Sequence, residues 1–286
     1  MTQPEHSTEK QPYNYVAGLI PIFTGAVWLA MGYPVLRWLI LQWGSNDFYS
    51  HGFLVFPIAL YIGWRLWPRP TRWEGRDAGL LVLVVTMVLY IWLSGQHADY
   101  LAALAWLAVG AALVWGIAGF DTLKQVGFAY AFAALAVPLP FVEKASLPLS
   151  QIAGKWAAAV VHLFGVPVVV NGQLVSLPSA NLVVGAQCSG LRSMVALVTL
   201  SVLFAFVVRG PWWGRLLIVL SAFPMALLGN LARVATLLAV ADRWGADAGF
   251  RFYHDYSGYV FFLVAFAVLI GLARLVRCND IRSDLF

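Results

Sequence analysis

The sequence predicts an all-α polytopic membrane protein with about eight transmembrane helices, a periplasmic amphipathic helix and a small β-hairpin. Three observations predict this class. Hydrophobic residues make up 61% of the 286-residue chain and charged residues only 11%, whereas about a quarter of the residues in a soluble domain are charged. The apolar residues occur in long runs, as membrane spans require. Lys and Arg concentrate in the short segments between alternate runs.

Eight apolar runs are candidate spans of a hydrocarbon core about 30 Å thick, which about 20 helical residues can cross. Gly32 and Pro34 interrupt the first run, so we expect that helix to kink or to end early. The second run is short and needs its flanking aromatic residues to reach the interface. The predicted spans are 16–42, 52–67, 79–95, 101–118, 126–142, 189–208, 213–232 and 256–275.

The positions of Lys and Arg predict the orientation of these spans, because short cytoplasmic loops carry an excess of both residues. If the spans alternate, one side holds Arg65, Arg69, Arg72, Arg76, Lys124, Arg209, Arg215, Arg274 and Arg277. That side is predicted to be cytoplasmic. The opposite loops 45–51 and 95–100 contain neither Lys nor Arg. Both termini are therefore expected in the cytoplasm, with residues 1–14 as a cytoplasmic tail.

A few arginines do not follow this distribution. Arg233, Arg243 and Arg251 lie between the seventh and eighth spans, on the predicted outer side, and Arg192 lies just inside the sixth span. An arginine near hydrocarbon is costly, so its presence suggests a functional or pairing role.

Residues 143–187, between the fifth and sixth spans, are predicted to form a periplasmic surface helix followed by a hairpin. Apolar residues recur at helical spacing from Ile152 to Leu163, as in a helix that lies on a membrane surface. Two short apolar runs then flank Asn171-Gly172, a pair that readily takes the positive φ angles of a two-residue turn. No second soluble domain is evident, so residues 1–286 are interpreted as one integral-membrane domain.

Polar residues from distant parts of the sequence are predicted to meet at the outer face. Cys188 opens the sixth span, where a helix N-terminus or a nearby cation would favour the thiolate. Asn230 and Arg233 lie at the end of the seventh span, and Arg233 could bind an oxyanion or a carboxylate. His254 precedes the eighth span and could transfer protons. Arg192 would lie one turn from Cys188 if the helix began there.

Simpler interpretations of these residues stay open. A lone cysteine is often a small core residue, an arginine at a helix end often reaches the interface, and a loop histidine is often solvated. The two cysteines, Cys188 and Cys278, form no CxxC pair, so neither a disulfide framework nor a metal site is expected, and no cofactor is predicted. The net charge of +5 is spread over short loops; the expected partner is therefore membrane lipid and not nucleic acid.

Several strings resemble the exosortase family of membrane cysteine enzymes. They are Cys188-Ser189-Gly190-Leu191-Arg192-Ser193, Asn230 with Arg233, His254, and Tyr49-Ser50-His51-Gly52-Phe53, together with the hairpin before the cysteine. Many relatives carry an acidic residue shortly before the cysteine, where this chain has Ala186 and Gln187.

The resemblance implies a protease or transpeptidase of the bacterial inner membrane whose active site faces the periplasm. Its substrates would be exported proteins with a C-terminal sorting signal: a Pro-Glu-Pro motif, an apolar helix and a basic tail. The family's catalytic residues map onto Cys188, Arg233 and His254. Arg192 and Asn230 would support them, Asn230 by orienting Arg233, and His51 is a candidate through the resemblance alone. An amine or water would accept the cleaved protein, in a pathway linked to surface sorting and exopolysaccharide.

Two alternatives to an enzyme remain at the level of sequence. The first is a membrane transporter or exporter subunit, which would account for eight spans and buried arginines, and the second is a structural partner of exopolysaccharide assembly. Neither would need Cys188. A rhomboid-type serine protease is disfavoured, because the sequence has no Gly-x-Ser-x-Gly-like string. Substitution of Cys188 distinguishes the enzyme from the other classes.

Overall fold

The computed structural model describes residues 15–68, 77–248 and 254–285, without the side chains of 15–21, 248 and 254–256. The described residues are mostly helical. The helices are α1 (Tyr15–Met31), α2 (Tyr33–Ser45), α3 (Gly52–Leu66), α4 (Asp77–Gly95), α5 (Asp99–Ala118), α6 (Phe120–Ala134), α7 (Pro140–Leu163), α8 (Leu191–Val207), α9 (Trp212–Trp244), α10 (Ala246–Ala248) and α11 (His254–Leu275).

Five short strands complete the architecture. They are β1 (Val169–Asn171), β2 (Leu174–Ser176), β3 (Asn181–Val183), β4 (Val208–Arg209) and β5 (Asp280–Ile281). The chain divides into two compact units, Met1–Arg37 with Pro68–Lys124, and Trp38–Trp67 with Gln125–Phe286.

The first unit contains α4 and α5 packed side by side, with α1 against α5. A Cβ atom on Gly79 would lie 2.8 Å from the backbone nitrogen of Gly116, so the two helices approach closely at these glycines. Trp28 stacks on Trp106 with ring centroids 4.2 Å apart, and each indole N–H donates to the other residue's carbonyl oxygen. The indole of Trp106 also occupies the space that a side chain at position 32 would need.

The predicted interruption of the first span is confirmed. The chain bends by 65° between α1 and α2, at Gly32. Pro34 follows at the second position of α2, where the missing N–H costs no helical hydrogen bond.

In the second unit, a three-stranded antiparallel sheet of order β1-β2-β3 precedes α8. Asn171 pairs with Leu174, so the loop of the predicted hairpin is Gly172-Gln173 and not Asn171-Gly172. Gly172 takes the positive φ angle of +62°, and glycine at the first loop position suits a type II′ turn. The hairpin itself is confirmed; its turn lies one residue further along the chain.

Helix α7 contains the predicted amphipathic segment, but it begins at Pro140. It buries a face of small residues, including Ala153, Gly154 and Ala157, and Gly154 packs against Val184. Ile152 and Trp156 are exposed on another face. This exposed apolar face has the character expected of a helix in contact with lipid.

The number of spans differs from the expectation. Among the described residues, five helices are long and apolar enough to cross a membrane, or six if the bent pair α1–α2 is one span, so the count of eight is not confirmed. The predicted span 126–142 is divided, because α6 ends at Ala134 and α7 starts at Pro140. Pro138 and Pro140 explain the break, since each lacks the N–H that a continuous helix needs. By contrast, α9 continues for 12 residues past the predicted end at 232.

Candidate functional site

Cys188 lies in a turn that connects the sheet to α8. It is the last residue of a one-turn 3₁₀ helix, Ala186–Cys188, and its N–H donates to the carbonyl oxygen of Gly185 over 2.9 Å. Gly190 follows in the left-handed conformation with a φ of +76°, so α8 begins only at Leu191. The condition for placing Arg192 one helical turn from Cys188, a helix that starts at Cys188, is therefore not met, and the two residues are not related by helical spacing.

The side chain of Cys188 is buried, with 1% of its surface exposed. It belongs to an apolar cluster built from α7, the sheet and α9, whose buried members are Ala157, Val161, Val175, Leu177, Leu182, Val184, Val234, Ala235, Leu238 and Ala241. The sheet thus contributes to the apolar cluster that contains Cys188, in addition to leading the chain into the turn.

Asn230 joins α9 to the Cys188 turn. Its side-chain amide nitrogen donates to the carbonyl oxygen of Cys188 over 3.0 Å, across 42 residues of sequence. The Asn230 side chain is buried and lies directly against Gly190, where a Cβ atom would be 2.5 Å from the Asn230 Cγ. Gly190 is therefore required twice: for its φ angle and for the space that Asn230 occupies.

Arg233 lies one helical turn after Asn230 on α9. Its Nε donates to the hydroxyl oxygen of Ser257 on α11 over 3.3 Å, and Ser257 is itself buried. Gly258 lies beside the guanidinium: a Cβ atom there would make an ordinary van der Waals contact with Arg233 Cζ at 3.8 Å. Arg233 lines the same cavity as Gln187 and Gly190, the neighbours of Cys188 in the turn.

His254 is the first residue of α11. It precedes Ser257 by three residues, so its backbone lies one turn from the residue that bonds to Arg233. The His254 side chain and the whole of Arg251 lie outside the described residues. The structure thus places the backbone of the third predicted catalytic residue on the helix that supports Arg233.

A cavity of about 1000 Å³ opens beside these residues, entirely within the second unit. Arg192, Arg233, Asp47 and Glu143 are the charged residues in its wall. Gln187 and Gly190 also line it, whereas the buried Cys188 does not. The remaining wall comes from Gln42, Ser45, Asn46, Phe48, Ser146, Ala186, Ser193, Ala196, Gly258, Tyr259 and Phe262.

Both cationic residues in this wall have a polar neighbour. Arg192 faces Asp47 with a distance of 3.9 Å between Nη1 and Oδ1, and both side chains are mostly exposed, so this ion pair is weak. Glu143 accepts a hydrogen bond from the Asn46 amide.

Among the described residues, no group of three or more His, Cys, Asp or Glu side chains is placed to hold a metal ion.

Sequence reasoning missed Asp47, Glu143 and Ser257. Asp47 stands in an outer loop that has no Lys or Arg, and Glu143 opens the predicted surface segment, but neither position suggests that the two share a cavity. No acidic residue lies immediately before Cys188. The carboxylates in the cavity wall instead come from the α2–α3 turn and the start of α7.

His51 occupies the α2–α3 turn, immediately before α3. Its ring stacks on Tyr49 with centroids 5.9 Å apart, and its Nε2 is buried without a hydrogen-bond partner. Burial lowers the pKa of His51, which favours the neutral imidazole. His51 is not among the residues that line the cavity; its role as a site residue stays a prediction.

The family comparison covers this whole arrangement. The transmembrane exosortase family model matches residues 43–271, which include the turn at Asp47, the hairpin, Cys188, Asn230, Arg233 and His254. The chain belongs to the transmembrane exosortase family. The match, together with several long apolar helices, identifies a multi-pass membrane protein. No individual curated protein and no solved structure matches the chain.

Proposed function

We propose that this chain is a membrane cysteine peptidase or transpeptidase that cleaves the C-terminal sorting signals of exported proteins at the periplasmic face. One observation carries the proposal. The Cys188 turn and helix α9, which carries Asn230 and Arg233, are distant in sequence, yet Asn230 is hydrogen-bonded to the turn, and Arg233 and the turn residues Gln187 and Gly190 line one cavity large enough for a peptide segment. Family membership adds the expectation of transpeptidase-like chemistry.

In the first step, the ionised sulfur of Cys188 attacks the carbonyl carbon of the scissile peptide bond. A C–S bond forms and the carbonyl oxygen becomes an oxyanion. Arg233 is suited to stabilise that charge, because its terminal nitrogens are donors while its Nε is held by Ser257. Collapse of the tetrahedral intermediate then breaks the C–N bond and leaves a thioester on Cys188.

Proton transfer is assigned to His254. In this proposal it takes the thiol proton of Cys188 and gives it to the departing amine. An amine or a water molecule then attacks the thioester, loses a proton and restores the thiol. Support for the assignment comes from the position of His254 one turn before Ser257, and from its motif.

Access to the sulfur must involve the turn 185–190. Cys188 is buried, while its neighbours Gln187 and Gly190 form part of the cavity wall. We propose that the bound substrate displaces this turn and so brings its scissile carbonyl to the sulfur, as loop movements complete other active sites.

The substrates are proposed to be exported proteins that end in a Pro-Glu-Pro motif, an apolar helix and a basic tail. The exposed apolar residues of α7 and the hairpin, within the segment 147–184, offer a platform where such a motif would leave the lipid. The proposed location is the bacterial inner membrane, with a role in surface protein sorting linked to exopolysaccharide.

Replacement of the nucleophile tests this function. Cys188→Ala should abolish the size shift of a reporter protein that carries the sorting signal, while the enzyme remains inserted. The control is Cys278→Ala. Cys278 is packed with Val208 at the other end of α8, about 25 Å away at about 1.5 Å per helical residue, so its loss should not change processing. Normal processing by Cys188→Ala would refute the enzyme and favour a transporter or scaffold.

A further inference from the structure

We infer that Asn230 is a positioning residue for the nucleophile: its side-chain amide holds the carbonyl of Cys188 and thereby sets the sulfur relative to Arg233. The sequence suggested only that Asn230 orients Arg233. This inference rests on the proposed role of Cys188 and adds a residue that acts through it.

The first argument is the hydrogen bond itself. The turn 185–190 contains short local bonds, from Cys188 to Gly185 and from Ser189 to Ala186, but these tie the turn only to itself. The bond from Asn230 Nδ2 to the Cys188 carbonyl is buried and links the turn to a 33-residue helix. Without this donor the buried carbonyl of Cys188 would have no hydrogen bond, which is costly, and the turn could move until the carbonyl met another donor.

The second argument is the fit between Asn230 and Gly190. A Cβ atom on Gly190 would lie 2.5 Å from Asn230 Cγ and 2.9 Å from Nδ2. The left-handed Gly190 therefore lets the turn come close enough to α9 for the bond to form. A side chain at position 230 that only filled space would not need its amide group to lie this close to Gly190.

The third argument is the shared helix. Asn230 and Arg233 are three residues apart on α9, and both line a cavity of about 20 Å³ with Ser193. Because one rigid helix carries the carbonyl donor and the guanidinium, the Asn230–Cys188 hydrogen bond sets the separation of sulfur and guanidinium. Misplacement of a reacting group by about 1 Å can cost about a hundredfold in rate.

The test uses the full-length protein in proteoliposomes, with Cys278→Ser so that Cys188 is the single thiol. Asn230→Leu keeps the branching of the side chain and removes the donor. Gly190→Ala is the second variant, because its Cβ displaces the unchanged Asn230, and its φ of +76° also strains the turn. Thr236→Ala, on the same helix, is the matched control. Three quantities are measured: inserted protein, kcat and KM for the reporter, and the rate of maleimide reaction with Cys188.

We expect both variants to lower kcat by about a hundredfold with little change in KM, and to speed maleimide labelling several-fold as the turn loosens. The control should match the parent. Unchanged kcat in Asn230→Leu, or a loss of activity only in proportion to inserted protein, would overturn the positioning role. If Cys188→Ala also processes the reporter, the proposed function is wrong, and the labelling rate alone then decides whether Asn230 holds the turn.

Discussion

The contact between Arg233 and Ser257 allows a quantitative test of the oxyanion role. Arg233→Lys keeps the positive charge but removes the Nε that donates to Ser257 and the planar pair of terminal donors. Loss of one oxyanion donor typically lowers the rate by about 10²–10³-fold. Because charge is retained, we expect kcat to fall in that range while KM changes little.

Ser257→Ala removes only the orienting bond. At 3.3 Å this bond is long, and a net contribution of about 1 kcal/mol corresponds to about a fivefold loss of rate. In the Arg233→Lys background, where that bond no longer exists, Ser257→Ala should have almost no further effect. The two losses are therefore expected to be non-additive.

The assay is the rate of reporter cleavage on a gel, with the amount of inserted enzyme measured in parallel for all four proteins of the cycle. Additive losses would mean that Ser257 acts independently of Arg233. An Arg233→Lys protein with more than a third of the parent rate would refute the oxyanion role, because a point charge would then be sufficient.

Three further predictions concern other parts of the chain. Burial lowers the pKa of His51 in the folded protein, so the unfolded chain binds a proton more readily. The melting temperature in detergent should therefore fall as the pH drops below about 6.5. His51→Phe should weaken this pH dependence. Gly172→Val forces a branched residue to a φ of +62°, so processing should fall more than protein level if the hairpin is a substrate platform; equal losses would make the hairpin purely structural. In intact cells, an impermeant thiol reagent should label a cysteine introduced at Ser176 but not one at Arg72; the reverse result would invert the predicted orientation.

Local patterns in the sequence were sufficient for much of the fold. The composition predicted the membrane class, Gly32 and Pro34 predicted the break between α1 and α2, and two apolar runs around a glycine predicted the hairpin. In each case the property depends on neighbours within one turn or one loop, so the sequence carries it directly. The Cys188 string and the other quoted motifs also predicted the family, and the family comparison confirmed it.

Contacts between distant segments were decided only by the tertiary structure. Cys188 and Asn230 are 42 positions apart in the sequence, and no periodic pattern predicts the hydrogen bond that joins them. The burial of Cys188 depends on the sheet, α7 and α9 together. The partnership of Arg233 with Ser257 and the presence of Asp47 in the cavity arise in the same way. Hydropathy indicates which residues avoid water, but packing determines which helix faces meet. At the Cys188 turn, that packing depends on Gly190, whose lack of a side chain lets Asn230 come close.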